Sequence, residues 1–473
     1  MTIWFLIAII FHLMGFFSSI SAVMNARTSQ GAIAWAVSLN TFPYVAVPAY
    51  WVFGRSRFKG YITLRATKNK KVKEWLGEIK SSLDPFHIPE AQMTPAGVAA
   101  QRLADLPYTL GNKVELLVDG KATFDDIAIG MEEAKSYILF QFFIIKDDSL
   151  GRRMKDILLR KRAEDVAVYL IYDEVGSNQL TKEYIQELRD AGCEIYPFNT
   201  RKGKGNRFQL NFRNHRKIVV VDGKTTWIGG HNVGDEYLGL DLKFGHWRDT
   251  HVRITGPAAL AAQLSFVEDF YWATNKALSQ LNWKPFAAAD AKKQVLIVPS
   301  GPADELETAS LMFLHAINSA QKRIWIASPY FVPDDAIISA LQLAGLRGVD
   351  VRILIPDMPD HLAVYLAAFS YFDEAGKTGV RFFRYTDGFL HEKAMLIDDR
   401  FSTVGTANFD NRSFRLNFEI TCLIADEDFA KQMEQMFLAD FGKSREMQEG
   451  EFDEKSFWFR FAVNLARLTA PVQ

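Results

Sequence analysis

The sequence predicts an α/β protein built from two copies of one unit that share a single site, preceded by an α-helical transmembrane hairpin. Three observations predict it. A short phrase occurs twice: His215-Arg216-Lys217, then Asp222, then Gly229-Gly230-His231-Asn232, and again His391-Glu392-Lys393, Asp398 and Gly405-Thr406-Ala407-Asn408. The distances from His to Lys, Asp, Gly and Asn are the same in both copies. Apolar strand-like runs alternate with helical stretches in the same order before each copy, which implies α/β layers rather than a sandwich or a bundle. Finally, two long apolar stretches open the chain.

The first apolar stretch, Ile3 to Val23, is about the ~20 residues a membrane helix needs, broken only by His12 and a few serines. The second runs from about Ala32 to Phe53 with Pro43 and Pro48 inside it; prolines are tolerated in membrane helices. A cleaved signal peptide is disfavoured, because Met1-Thr2 supplies no positive side chain and a second apolar stretch follows at once. The connecting loop holds one cation, Arg27, whereas Arg55, Arg57, Lys59, Arg65, Lys68, Lys70, Lys71 and Lys73 follow the second stretch with no acid before Glu74. The positive-inside rule places that side, and everything beyond it, in the cytoplasm of a multi-pass inner-membrane protein. The same cations suit anionic headgroups.

Five segments are expected: 1–55 as two transmembrane helices, 56–108 as a basic juxtamembrane linker, 109–285 and 286–450 as the duplicated domains, and 451–473 as an amphipathic tail. Within the first domain, strands are expected over 114–118, 137–145, 166–172 and 194–198, with helices over 124–135 and 150–162. The second retraces this order, with strands over 294–298, 323–331, 351–355 and 380–383 and helices over 305–320 and 335–346. One loop is unequal: Thr200 to Asn214 outruns its counterpart before His391 and carries Arg201, Lys202, Lys204, Arg207 and Arg213 without an acid. In the tail, Phe457, Trp458, Phe459, Phe461, Val463, Leu465 and Leu468 mix with Lys455, Arg460 and Arg467. It can lie in a membrane interface or pack on the soluble domain.

A chain of 473 residues exceeds one typical core, and 48% apolar with 23% charged residues is ordinary for a folded protein. A net charge of −1 gives no general electrostatic pull toward nucleic acid. Cys193 and Cys422 are two thiols in apolar stretches, which excludes a disulfide framework and a paired-cysteine metal site.

In each copy the run after Lys is apolar, Ile218 to Val221 and Ala394 to Ile397, so a buried strand follows. His and Lys, two apart, project from one face of it. Asp222-Gly223 and Asp398-Asp399 make a turn, and Thr226 to Ile228 and Ser402 to Val404 return beside the His. The glycine there would let a ligand approach the backbone. Lys217, Lys393, Asn232 and Asn408 together form a cradle for a tetrahedral anion such as phosphate. Two histidines suit phosphodiester exchange, one attacking phosphorus and the other passing a proton to the leaving alcohol. A carboxylate beside each would orient its ring, and the candidates are Asp249 and Glu419. Asp222 and Asp398, at the far end of a buried strand, read as structural. Charged lysines are poor ligands, so neither a metal nor another cofactor is expected.

These strings resemble the phospholipase D superfamily, whose signature is a duplicated His-x-Lys-x4-Asp. Within it the chain is similar to bacterial cardiolipin synthases with two membrane spans, through Asn214 to Gly223, Gly229 to Asn232, Trp247-Arg248-Asp249, Ser328 to Pro333, Gly388 to Lys393 and Gly31 to Trp35. The resemblance implies two phospholipase D-like domains and a metal-independent transferase. That enzyme would convert two phosphatidylglycerol molecules into cardiolipin and glycerol, with anionic phospholipids and the membrane as partners and no nucleic acid. It implies His215 as nucleophile and His391 as acid and then base. It also counts Asp222 and Asp398 as motif members alongside Lys217 and Lys393. The first copy departs from the pattern, with Gly230 where many members carry Ser and no counterpart of Arg412-Ser413. The alternative is a hydrolase or nuclease acting on another phosphodiester with the same motifs.

Overall fold

The computed structural model describes residues 2–26, 28–54, 81–198, 211–448 and 450–470, together with Phe58, Tyr61, Ile62 and Gly77. Arg27, the juxtamembrane cations Arg55 to Lys73, and Arg201, Lys202, Lys204 and Arg207 of the long loop lie outside the described residues.

At the N-terminus, the helix Thr2–Asn25 contains Ile3–Asn25, the one stretch among the described residues long and apolar enough to cross a membrane. The second apolar stretch is not one helix but two, Ser29–Thr41 and Pro43–Phe53. The break falls at Phe42 (φ −136°, ψ 56°), because the ring of Pro43 bars its predecessor from the helical region and Pro43 then starts a new helix. The three helices close around Ala22, Leu39, Ala46, Val47 and Tyr50.

The duplicated units form one continuous sheet of 15 strands. The first unit runs inward from its edge as Glu194–Pro197, Ala167–Tyr172, Tyr137–Phe142, Ile218–Val221, Thr225–Gly229, Thr250–Thr255 and Thr109–Val118. The second mirrors it as Arg381–Tyr385, Asp350–Pro356, Arg323–Ala327, Ala394–Ile397, Phe401–Gly405, Glu419–Ala425 and Lys293–Ser300, with Ser444–Glu446 added at its edge. The halves meet where the first strand of each pairs antiparallel, Thr109 opposite Val295 and Asn112 opposite Lys293.

Two expected strands are shorter in the fold. The strand from Tyr137 ends at Phe142, and Ile144 then turns its N–H to Asn232 Oδ1 (3.1 Å). The strand from Arg323 ends at Ala327, where Ser328-Pro329 interrupts it before a separate Phe331–Val332. The end of the expected linker belongs to the core, since the helix Pro95–Ala104 packs on Thr308–Ser319 with Ala100 and Ala104 buried. Four long helices had no counterpart in the sequence reading: Lys182–Asp190, Ala258–Thr274, Leu362–Gly376 and Glu427–Gly442. The tail forms the helix Phe457–Arg467, which docks on Leu362–Gly376 through Phe459, buried Val463 and an Arg467–Glu374 ion pair. Phe457, Trp458, Phe461, Leu465 and Leu468 stay exposed.

Candidate active site

Each histidine is seated by backbone from the other unit. His215 donates its N–H to Phe418 O (2.9 Å), and Phe418 returns its own to Arg213 O (2.9 Å). On the mirror side His391 donates to Arg248 O (2.8 Å) and Phe389 to His246 O (2.8 Å). These parallel bridges, Asn214 with Phe418 and Leu390 with Arg248, set each histidine beside the residue after its partner. That residue is Glu419 for His215 and Asp249 for His391. His215 Nδ1 lies 2.9 and 3.0 Å from the Glu419 oxygens, and His391 Nδ1 lies 2.7 Å from Asp249 Oδ2. Both dyads therefore cross between the units. An ionised carboxylate at Nδ1 keeps a proton there and leaves Nε2 with the free lone pair.

The carboxylates differ in their support. Glu419 also accepts from Thr406 Oγ1 (2.5 Å) and Ser413 Oγ (2.9 Å). Asp249 instead accepts the N–H of Thr250 (2.8 Å). At the position matching Thr406 stands Gly230, where a Cβ would come within 2.0 Å of Asp249 Oδ1. The departure in the first copy thus makes room for its carboxylate. The motif glycines Gly229 and Gly405 do not open the backbone to a ligand as expected; a Cβ there would strike the neighbouring strand at Thr250 O or Ile420 O.

Lys217 Nζ donates to His215 O (2.7 Å), and Lys393 Nζ to His391 O, 2.9 Å from His391 Nδ1 and 3.9 Å from Asp249 Oδ2. The asparagines are not equivalent. Asn232 is committed at both ends, accepting from Ile144 N and donating to Tyr237 Oη (3.2 Å). Asn408 Oδ1 is buried with no hydrogen-bond partner among the described residues. Asp222 and Asp398 lie away from this cluster. Asp222 accepts the N–H groups of Lys135, Ser136 and Tyr137, and Asp398 those of Gln321, Lys322 and Arg323. Both aspartates sit at positive φ, 53° and 51°. Each pins its hairpin turn to the neighbouring strand, its carboxylate taken up by backbone amides.

Burial governs the charges. It lowers His215 against the pull of Glu419, and with the charge of Lys393 it holds His391 down at about 3. It pushes Lys217 down to about 7, helped by Lys393 and opposed by Glu419. Burial acts to raise Asp249 and Glu419, but Lys393 overrules it at the first and His215 at the second, so both stay below the ordinary carboxylate range. Burial thus disfavours positive charge on His391 and Lys217 in the empty site, and an arriving anion favours it there.

Aromatic walls enclose the pair, and spacing alone did not reveal them. Phe143 meets His215 edge-on at 5.0 Å, and Trp247 and Phe389 lie 5.1 and 6.1 Å from His391. Beneath His391, Arg248 bridges Glu392 (2.6 Å) and Asp440 (2.8 Å). Burial raises Glu392 to about 8.

Residues 127–258 and 313–441 each match the family model described as cardiolipin synthase, PLD-like domain. The chain belongs to that family. It is 48% identical over 467 residues to cardiolipin synthase A of Pseudomonas putida (strain W619), across 98% of this chain and 96% of the relative. It is 46% identical over 474 residues to cardiolipin synthase A of Pseudomonas fluorescens (strain SBW25), with the same coverage of 98% and 96%. Among solved structures, phosphatidylserine synthase of Haemophilus influenzae Rd KW20 is similar with a TM-score of 0.61 at 18% identity, covering 80% of this chain and 100% of that one. At that identity the likeness speaks for the fold, which agrees with the duplicated α/β architecture expected of a phospholipase D-like chain.

Proposed function

We propose that this protein is a membrane phosphatidyltransferase that makes cardiolipin and glycerol from two phosphatidylglycerol molecules. The observation that carries the reading is the pair of crossed His–carboxylate dyads, each beside a lysine, in a chain whose relatives are cardiolipin synthases. Lys217 and Lys393 hold the phosphate of the first lipid through their ammonium groups. His215 Nε2 attacks phosphorus. The bond to the glycerol headgroup breaks, and His391 gives its proton to the departing oxygen, leaving a phosphatidyl-histidine and free glycerol. A hydroxyl of the second phosphatidylglycerol then yields its proton to His391 and attacks phosphorus. The P–N bond breaks, cardiolipin forms and both histidines return to their starting state. Asp249 and Glu419 orient the rings and stabilise their charged forms.

The cations that follow Phe53 support a cytoplasmic position for the catalytic units, with that basic run against anionic headgroups. The exposed face of the helix Phe457–Arg467 adds a second contact with the same surface. Purified protein incubated with phosphatidylglycerol alone tests the activity. Cardiolipin with equimolar glycerol is expected, and H215A and H391A should each abolish glycerol release. Phosphatidic acid as the sole lipid product would make the enzyme a hydrolase, and full activity in either variant would sink the two-histidine scheme.

A further inference from the structure

Beyond the apolar N-terminal helices, Phe58 and Tyr61 insert into the core of the catalytic units as a plug. Phe58 and Tyr61 are 0% and 1% exposed, in a stretch whose composition reads as a basic linker. Phe58 stacks on Phe212 (5.1 Å) and meets Trp272 (4.9 Å) and Phe418 (5.8 Å). Tyr61 lies against Phe418 (4.9 Å) and Trp272 (5.5 Å). The Phe58 N–H donates to Pro302 O (3.1 Å), so this short stretch touches both units.

Its targets flank one histidine only. Tyr61 Oη donates to Asp269 Oδ1 (3.0 Å). The same buried carboxylate accepts from Asn214 Nδ2 (2.8 Å) and from Arg216 Nη1 (2.9 Å), the neighbours of His215 on either side. Arg216 Nε donates onward to Glu419 O (3.0 Å). Phe418, held by both aromatic rings, precedes Glu419, whose carboxylate holds His215 Nδ1. The segment thus supports the loop carrying the histidine and the strand carrying its partner. On the mirror side, the place of Arg216 is taken by Glu392, which pairs with Arg248. Four residues separate Phe53, the end of the last apolar helix, from Phe58, and the five Cα–Cα steps between them span at most about 18 Å.

We propose that Tyr61 and Phe58 are positioning residues of the His215 centre, so that the membrane anchor completes the nucleophile's seat rather than only tethering the enzyme. The inference rests on His215 being the nucleophile of the proposed transfer. Hydrogen bonds to buried charged groups are stronger than neutral ones, and the near-attack geometry they maintain is sensitive to displacements on the order of 1 Å.

The test uses the full chain in two settings: nanodiscs containing phosphatidylglycerol, and detergent micelles with short-chain phosphatidylglycerol. Y61F and F58A should lower kcat per folded molecule about tenfold in both settings with KM within about twofold, and F58L should restore most of the loss. A Gly-Ser insertion directly after Gly54 lengthens the tether but keeps the plug; it should leave micelle kcat unchanged. Unaltered kcat per folded molecule in Y61F and F58A would overturn the proposal, as would the same micelle loss from the insertion. H215A runs beside them: activity there overturns the assignment of the nucleophile, whereas an inactive H215A with unaffected Y61F and F58A overturns the positioning role alone.

Discussion

Glu419, from the second unit, lies 2.9 Å from Nδ1 of His215, in the first. The mirrored contact joins Asp249 to His391, so neither unit contains a complete acid–base pair. E419Q and D249N should each lower kcat by about 10²–10⁴-fold, the range for losing a positioned acid or base, with little change in KM. Steady-state glycerol release checks this, and a loss below about threefold in both variants would remove the dyads from the mechanism.

Lys217, lowered to about 7 mainly by burial, makes anion binding pH-dependent. The cation is present below that value and lost above it, and a bound phosphate favours the protonated form. Affinity for inorganic phosphate or vanadate should therefore weaken as pH rises through about 7, and binding there should take up protons. Calorimetry in buffers of different ionisation enthalpy measures the uptake. No buffer dependence near neutrality would contradict the assignment.

Asp222 accepts three backbone N–H groups at the turn after its strand, and Asp398 does the same in the other unit. D222A or D398A should destabilise the protein by about 1–3 kcal/mol for the donors left unpaired. D222N, which keeps one oxygen and tolerates positive φ, should cost less. Denaturation in detergent, with activity normalised to folded protein, separates this from catalysis. Normal stability with kcat reduced a hundredfold would return the aspartates to the chemistry.

The helix Phe457–Arg467 turns Trp458 and Phe461, 74% and 53% exposed, away from the domain. Nitroxides attached through W458C and F461C should be shielded from water-soluble relaxation agents in anionic nanodiscs and reached by oxygen, as for a helix lying in the interface. Labels fully open to water would show that this face does not touch lipid.

The histidines and lysines of the candidate site were legible because a phrase repeated at fixed spacing needs no knowledge of the fold. What holds them was not. The bridges Asn214–Phe418 and Leu390–Arg248 are too short to leave a periodic apolar pattern, so Asp249 and Glu419 could be named as partners without being assigned to a ring. The helix Ala258–Thr274 is buried on nearly every face and lacks the one-sided stripe that marks a surface helix. Pro43 marked the break at Phe42, but proline inside an apolar stretch also fits an unbroken membrane helix. Phe58 and Tyr61 were hidden among cations, and their burial follows from tertiary contacts that composition does not record.

Because the first strands of the two units meet edge to edge in antiparallel register, the molecule has the symmetry of a dimer whose subunits were joined end to end. A chain with a single copy of this unit could seat its histidine in the same way only by borrowing a carboxylate from a twin. Fusion frees the two halves to diverge, and Gly230 opposite Thr406 and Arg216 opposite Glu392 record that divergence. One copy could then specialise in attack and the other in proton transfer.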